Sequence, residues 1–123
     1  MRYVIVDTSS ILFGLAHRKD VLGIAERSLP GFTPLISGGV IRELRHHSLN
    51  KGAKGASARA ALSILKLKKI RVDNTSGDVD SWILRKAVSE AGSLVVTNDT
   101  PLLRKLRLSG VRVMKLSKSG KLK

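Results

Sequence analysis

The sequence predicts a three-layer α/β fold: a mostly parallel sheet with helices on both faces. Three observations carry that expectation. Tyr3-Val4-Ile5-Val6 and Leu94-Val95-Val96-Thr97 are short apolar runs without alternation, as in strands covered on both faces of a parallel sheet. Strand-like runs alternate along the chain with segments whose apolar residues recur at helical spacing. A length of 123 residues allows one core and leaves no room for a second.

Taken in order, Tyr3 to Val6 is the first strand, and it ends at Asp7. Thr8, Ser9 and Ser10 offer N-cap hydroxyls to a helix carrying Ile11, Leu12, Leu15 and Ala16. Asp20 to Ser28 reads as a second helix, stopped by Pro30-Gly31. Pro34-Leu35-Ile36 is a short strand, after which Ser37 caps a helix with Val40, Ile41 and Leu44 on its buried stripe. The stretch from Asn50 to Ser57, NKGAKGAS, is small and polar and predicts a mobile loop. Ala58, Ala61, Leu62 and Leu65 then give a helix with Arg59, Lys66 and Lys69 facing outward, and Ile70-Arg71-Val72 a strand. The turn cluster from Asn74 to Gly77 precedes a helix with Ile83, Leu84, Ala87, Val88 and Ala91 apolar, closed by Gly92. After the strand Leu94 to Thr97, Asp99-Thr100-Pro101 opens a helix that Gly110 ends, and Val111 to Met114 is the last strand. One domain is expected over 1–116, with 117–123 as a basic tail that frays.

The charge is the anomaly in this composition. Lys and Arg number 23 against 9 Asp and Glu, a formal net charge of +14 that points to a polyanionic partner, RNA or DNA ahead of an anionic membrane surface. Nine Lys and Arg fall between Arg42 and Arg71, and eight more follow Asp99 with no acid among them. Within these flanks Arg42, Arg45, Lys51, Lys54, Arg59, Arg104, Lys105 and Arg107 are the candidate phosphate contacts. Any one of them reads more readily as part of a solvated face, so the ensemble carries the argument. Aromatic residues are 3%, too few for the stacking platforms of RRM, OB or cold-shock modules. The absence of cysteine excludes disulfides, zinc ribbons, iron-sulfur clusters and thiol nucleophiles. No run approaches the ~18 apolar residues of a membrane span, and Asp7 to Ser10 interrupts any signal-like stretch near Met1; a cytoplasmic protein with no membrane partner is expected.

With so few acids, their placement is informative. Asp7 and Asp99 fall at or just past the C-terminal ends of predicted strands, where open α/β sheets bind ligands. Glu43 lies early in a helix that follows a strand, and Asp78 and Asp80 open another helix. Converging carboxylates repel one another, and a hard divalent cation, Mg²⁺ or Mn²⁺, is the natural compensation. The bland alternatives are helix capping for Asp78 and Asp99 and plain surface exposure for Glu43. Asp7 is harder to explain blandly, because a carboxylate directly after a buried strand is costly unless it is satisfied. His17, His46 and His47 read as solvated or phosphate-contacting residues, since hard cations disfavour imidazole.

The order Val6-Asp7-Thr8-Ser9, Val40-Ile41-Arg42-Glu43-Leu44, Asp80-Ser81-Trp82-Ile83 and Val96-Thr97-Asn98-Asp99 resembles the PIN-domain nucleases over essentially the whole chain. The resemblance implies a parallel sheet flanked by helices and an acidic pocket that holds Mg²⁺ or Mn²⁺ for phosphodiester hydrolysis. It implies Asp7, Glu43, Asp80 and Asp99 as the metal-binding catalytic quartet, Thr8 or Ser9 and Asn98 as supporting donors, and Asp78 as an accessory. The implied chemistry is in-line attack by a metal-activated water, leaving 5′-phosphate and 3′-hydroxyl ends. The closing segment NDTPLLRKLRLSGVRVMKL resembles PIN proteins of small-subunit ribosomal RNA processing, with VapC-type toxins the next match. The partners implied are RNA, a ribosomal precursor or an antitoxin, and a second copy as a homodimer. A non-catalytic RNA-binding assembly factor is the alternative of a different class. Haloacid-dehalogenase chemistry is disfavoured because Ser9 stands where a second aspartate is needed, and no P-loop motif exists.

Overall fold

The structure, a computed structural model, describes residues 2–75 and 77–123, so Ser76 of the turn cluster and Met1 lie outside the described residues. The chain runs β1 (Tyr3–Val6), α1 (Thr8–Ala16), α2 (Val21–Ser28), β2 (Thr33–Ser37), α3 (Gly38–Ser48), α4 (Ala53–Leu67), β3 (Arg71–Asp73), α5 (Val79–Ser89), β4 (Leu94–Val96), α6 (Thr100–Leu108) and β5 (Arg112–Met114). The strands form one sheet in the order β3-β2-β1-β4-β5, and every pairing is parallel. The α/β class with helices on both faces is as the sequence predicts.

The period-2 alternation of strand side chains divides the interior into two layers. Val4 and Val6 of β1, with Ile36, Leu94 and Val96, face a cluster built from α1, α2, α3 and α4 that includes Ile11, Leu22, Val40, Leu44 and Ala61. Tyr3 and Ile5, with Leu35 and Val95, face the opposite way onto Ile83 and Ala87 of α5 and Leu102 and Leu106 of α6. Burying side chains of this size stabilises by about 1.5 to 3 kcal/mol each, which explains why β1 is apolar at all four positions. Because the chain leaves β1 toward one face and β4 toward the other, these adjacent strands form the switch point of the sheet. In open α/β sheets ligands bind beyond the C-terminal ends of the strands at such a point.

Four local expectations are corrected. The stretch from Asn50 to Ser57 is mostly not a loop: α4 begins at Ala53 and continues without a break to Leu67. Gly52 makes the bend before it with φ +95°, and Gly55 is buried where a Cβ would collide with the Asn50 carbonyl oxygen. The C-terminal segment does not fray. Lys115 and Lys123 exchange backbone hydrogen bonds of 2.9 and 3.0 Å, Leu116 pairs antiparallel with Leu122, and Leu116 is fully buried in the α1–α4 layer. The N-cap of α1 is Asp7, and the hydroxyl residues Thr8, Ser9 and Ser10 lie inside the helix. Val88, expected on the buried stripe of α5, is exposed. No helix among the described residues is long and apolar enough to cross a membrane.

Candidate active site

Asp7 follows β1 directly and is buried. Its backbone N–H donates to Val96 O at 3.1 Å, which fixes it beside the end of β4. Although it occupies the N-cap position of α1, its carboxylate makes no capping bond to the helix. Instead Oδ2 accepts from Ser9 Oγ and from Thr97 Oγ1, both at 2.9 Å. Each hydroxyl has one proton, and both protons are directed at this oxygen; among the described residues no hydrogen bond reaches Oδ1. The side chain is therefore oriented by two donors, with one oxygen left for a further partner.

The donors are held in turn. Asn98 N donates to Ser9 Oγ at 3.0 Å and Asp99 N to Thr97 Oγ1 at 3.1 Å, so the loop after β4 is wrapped around the same two hydroxyls. Asp99 caps α6 through Oδ1, which accepts from Leu102 N at 3.2 Å. Asp78 caps α5, its Oδ2 accepting from Ser81 N at 3.0 Å and Ser81 Oγ at 2.7 Å. Capping is thus real for Asp78 and Asp99. Asp80 lies in the first turn of α5, and Glu43 is exposed on α3, the helix that leaves the end of β2. The N-termini of α1, α3, α5 and α6 all begin at this edge of the sheet, and their dipoles favour negative charge there.

Electrostatics shows the convergence. Desolvation raises the pKa of Asp80 above 3.8, and the charges of Asp7, Asp99, Asp78 and Glu43, in that order, raise it further. Each of these four carboxylates is therefore within electrostatic reach of Asp80. Asp78 shifts the other way, its carboxylate held below 3.8 by the side-chain and backbone hydrogen bonds from Ser81, with Lys105 and Arg85 adding attraction.

The contrast with the other acids is sharp. Asp20 and Glu26 pair with Lys68, Asp73 with Arg71 and Lys86, and Glu90 with Lys86. Among the described residues, none of Asp7, Glu43, Asp78, Asp80 and Asp99 has a salt bridge, in a chain with 23 Lys and Arg. A carboxylate cluster that no side-chain cation neutralises suits a mobile or bound cation.

The donors fit a hard divalent ion. They are all oxygens, Asp7 is pre-oriented, and Thr8 Oγ1 is buried beside it with no hydrogen-bond partner among the described residues. No three His, Asp or Glu side chains among the described residues are gathered into a ready-made coordination sphere.

Several sequence expectations change in detail. Ser9 donates to Asp7, whereas Thr8 Oγ1 makes no hydrogen bond among the described residues. Asn98 does not touch a carboxylate with its side chain. Its Oδ1 accepts from Ser10 Oγ and Leu116 N and its Nδ2 donates to Leu116 O, so it braces the C-terminal hairpin. Thr97 was missed; a hydroxyl residue at a buried strand end was the available signal. Of the basic candidates, Arg42 donates to Thr75 O and Arg59 to Ser48 O and Asn50 O, so both guanidinium groups serve the fold as well as facing solvent. Arg45, Lys51, Lys54, Arg104, Lys105 and Arg107 are exposed.

A family profile described as a PIN-like domain matches residues 4–119. Ribonuclease VapC9 of Archaeoglobus fulgidus is 30% identical over 115 residues, spanning 92% of this chain and 82% of that protein. Among solved structures, the PIN domain endonuclease Utp24 superposes with a TM-score of 0.73 at 25% identity, covering 94% of this chain and 85% of its own. A domain of a functionally unknown protein from Methanocaldococcus jannaschii shares the fold, with a TM-score of 0.68 at 21% identity over 95% and 92% of the two chains.

Proposed function

The chain belongs to the PIN-like domain family, and from that premise we propose that it is a divalent-metal-dependent endoribonuclease. The observation that carries this reading is the set of five carboxylates without salt bridges among the described residues, four of which act electrostatically on Asp80. In this reading Asp7, Asp80, Asp99 and Glu43 hold Mg²⁺ or Mn²⁺. The ion supplies a water of lowered pKa and offsets charge on the departing 3′ oxygen. Ser9 and Thr97 fix the Asp7 carboxylate, and Asp78 keeps α5 anchored so that Asp80 stays in the pocket. The basic flanks hold the phosphate backbone, because a cluster of acids alone repels RNA. The likeness to a protein named a ribonuclease and to one titled an endonuclease supports the substrate class and the internal cut.

For the biological role, we favour ribosomal RNA processing, supported by the resemblance of the closing segment to PIN proteins of that type. The second reading is a VapC-type toxin with an antitoxin partner, and the 30% identity to ribonuclease VapC9 favours it. A cytoplasmic location fits either role. The deciding experiment incubates labelled single-stranded RNA with the protein in Mg²⁺, Mn²⁺ or EDTA, alongside Asp7→Asn. Metal-dependent cuts with 5′-phosphate ends that disappear in the variant support the nuclease. RNA binding without cleavage in any metal replaces it with the non-catalytic binding factor. Cleavage restricted to ribosomal precursor fragments favours processing, whereas growth arrest on expression, relieved by a neighbouring gene product, favours the toxin.

A further inference from the structure

A groove of about 360 Å³ lies between α6 and the C-terminal hairpin. Its near end is Thr100, the residue after Asp99, and it continues along Leu103 and Arg107, which share one face of α6. The opposite wall carries Lys115 and Lys123. Arg107, Lys115 and Lys123 are exposed, and among the described residues none of them forms a salt bridge. No acidic residue lines the groove, and none occurs anywhere after Asp99.

We propose that this groove is the track for the RNA backbone on one side of the scissile phosphate, with Arg107, Lys115 and Lys123 as its phosphate contacts. The inference rests on the ribonuclease reading and assigns the hairpin a role in holding substrate. Arg107, Lys115 and Lys123 would otherwise repel one another, and a polyanion entering from the pocket removes that repulsion. The hairpin is rigid enough to serve: Leu116 is buried, the Asn98 side chain pairs with both its backbone N–H and its carbonyl, and Lys115 is bonded to Lys123 through the main chain. From Thr100 to Arg107 the helix rises about 10 Å, seven steps of 1.5 Å. No aromatic side chain lines the groove, so bases have nothing to stack on and the track reads charge alone.

The test is the salt dependence of binding to labelled single-stranded RNA in EDTA, where cleavage does not interfere. Arg107→Gln/Lys115→Gln/Lys123→Gln is compared with wild type and with Arg2→Gln/Arg112→Gln, which removes charge from a groove at the opposite edge of the sheet. Three lost contacts reduce the slope of log K against log salt by about 2, at roughly 0.7 per contact for a single strand. The loss is the same for poly(U) and for a mixed sequence, and the control pair binds as wild type does. Wild-type slope in the triple variant, or an equal loss in the control pair, overturns the track while leaving the nuclease reading intact. If wild type itself neither binds RNA in EDTA nor cleaves it in Mn²⁺, the nuclease reading falls and the track falls with it. Circular dichroism melting of the triple variant separates lost contacts from lost fold, and Lys123→Gln alone, at an exposed position, reports on one contact if the triple variant does not fold.

Discussion

Thr97 Oγ1 donates to Asp7 Oδ2 and, through its lone pairs, accepts from Asp99 N at 3.1 Å, so one buried hydroxyl ties together the acids that follow β1 and β4. Thr97→Val keeps the shape and removes both functions. It leaves the Asp99 N–H without that acceptor and Asp7 with one donor fewer, which costs about 1 to 3 kcal/mol of unfolding free energy. Urea unfolding measures that loss, and metal-dependent cleavage falls with it. Thr97→Ser restores both.

Asp80 gives the protein a pH dependence of definite sign. Its folded pKa is raised, by desolvation first and then by its acidic neighbours, so between about 3.8 and the raised value the folded state binds more protons than the unfolded one. Stability from this group therefore grows as the pH falls through that window and is lost as the pH rises. Asp78 acts oppositely: its pKa is lowered by the Ser81 hydrogen bonds, and its contribution disappears on acidification below 3.8. In EDTA, Asp80→Asn should melt higher than wild type at pH 7, and the gap should close toward pH 4. Adding Mn²⁺ should raise the Tm of wild type more than that of the variant. Equal melting of the two proteins at pH 7 in EDTA would remove the repulsion argument.

Asn98→Ala severs three hydrogen bonds, from Ser10 Oγ and Leu116 N and to Leu116 O. Two of them hold the hairpin, so hydrogen exchange at the Leu116 amide should accelerate before exchange in β1 does. The loss of stability should be about 1 to 3 kcal/mol. Uniform acceleration across the sheet, with no excess at Leu116, would place the role of Asn98 elsewhere.

Gly55→Ala tests the start of α4. Alanine is the better helix former, so an exposed helical position would gain. Here the added carbon meets the Asn50 carbonyl oxygen, and overpacking of this kind costs about 1 to 3 kcal/mol. Chemical denaturation of the two proteins decides between the outcomes.

The sheet was legible because β1 and β4 must be apolar on both faces, a demand that leaves its mark on consecutive residues. Asp7 and Asp99 were legible because an acid at such a strand end has few structural reasons to be there. The start of α4 was not, since the fit of Gly55 against Asn50 is a tertiary contact and Gly, Lys and Ser read locally as turn residues. The hairpin was hidden for a similar reason: Lys115 to Lys123 offers only Leu116 and Leu122 to the interior, and its order comes from main-chain pairing and Asn98. Thr97 looked like one more strand residue, and only its place between Asp7 and the Asp99 amide gives the hydroxyl its use.

The central position of β1 has a consequence for biosynthesis. A ribosome makes β1 first, yet both of its neighbours in the sheet come later, and β4 is nearly the last strand to emerge. Until Leu94–Val96 has left the exit tunnel and inserted beside β1, Asp7 lacks Thr97 as its donor and Asp99 as its neighbour. A chain cut short before β4 lacks this arrangement of Asp7, Thr97 and Asp99. A site assembled this way is complete only once β4 has paired beside β1.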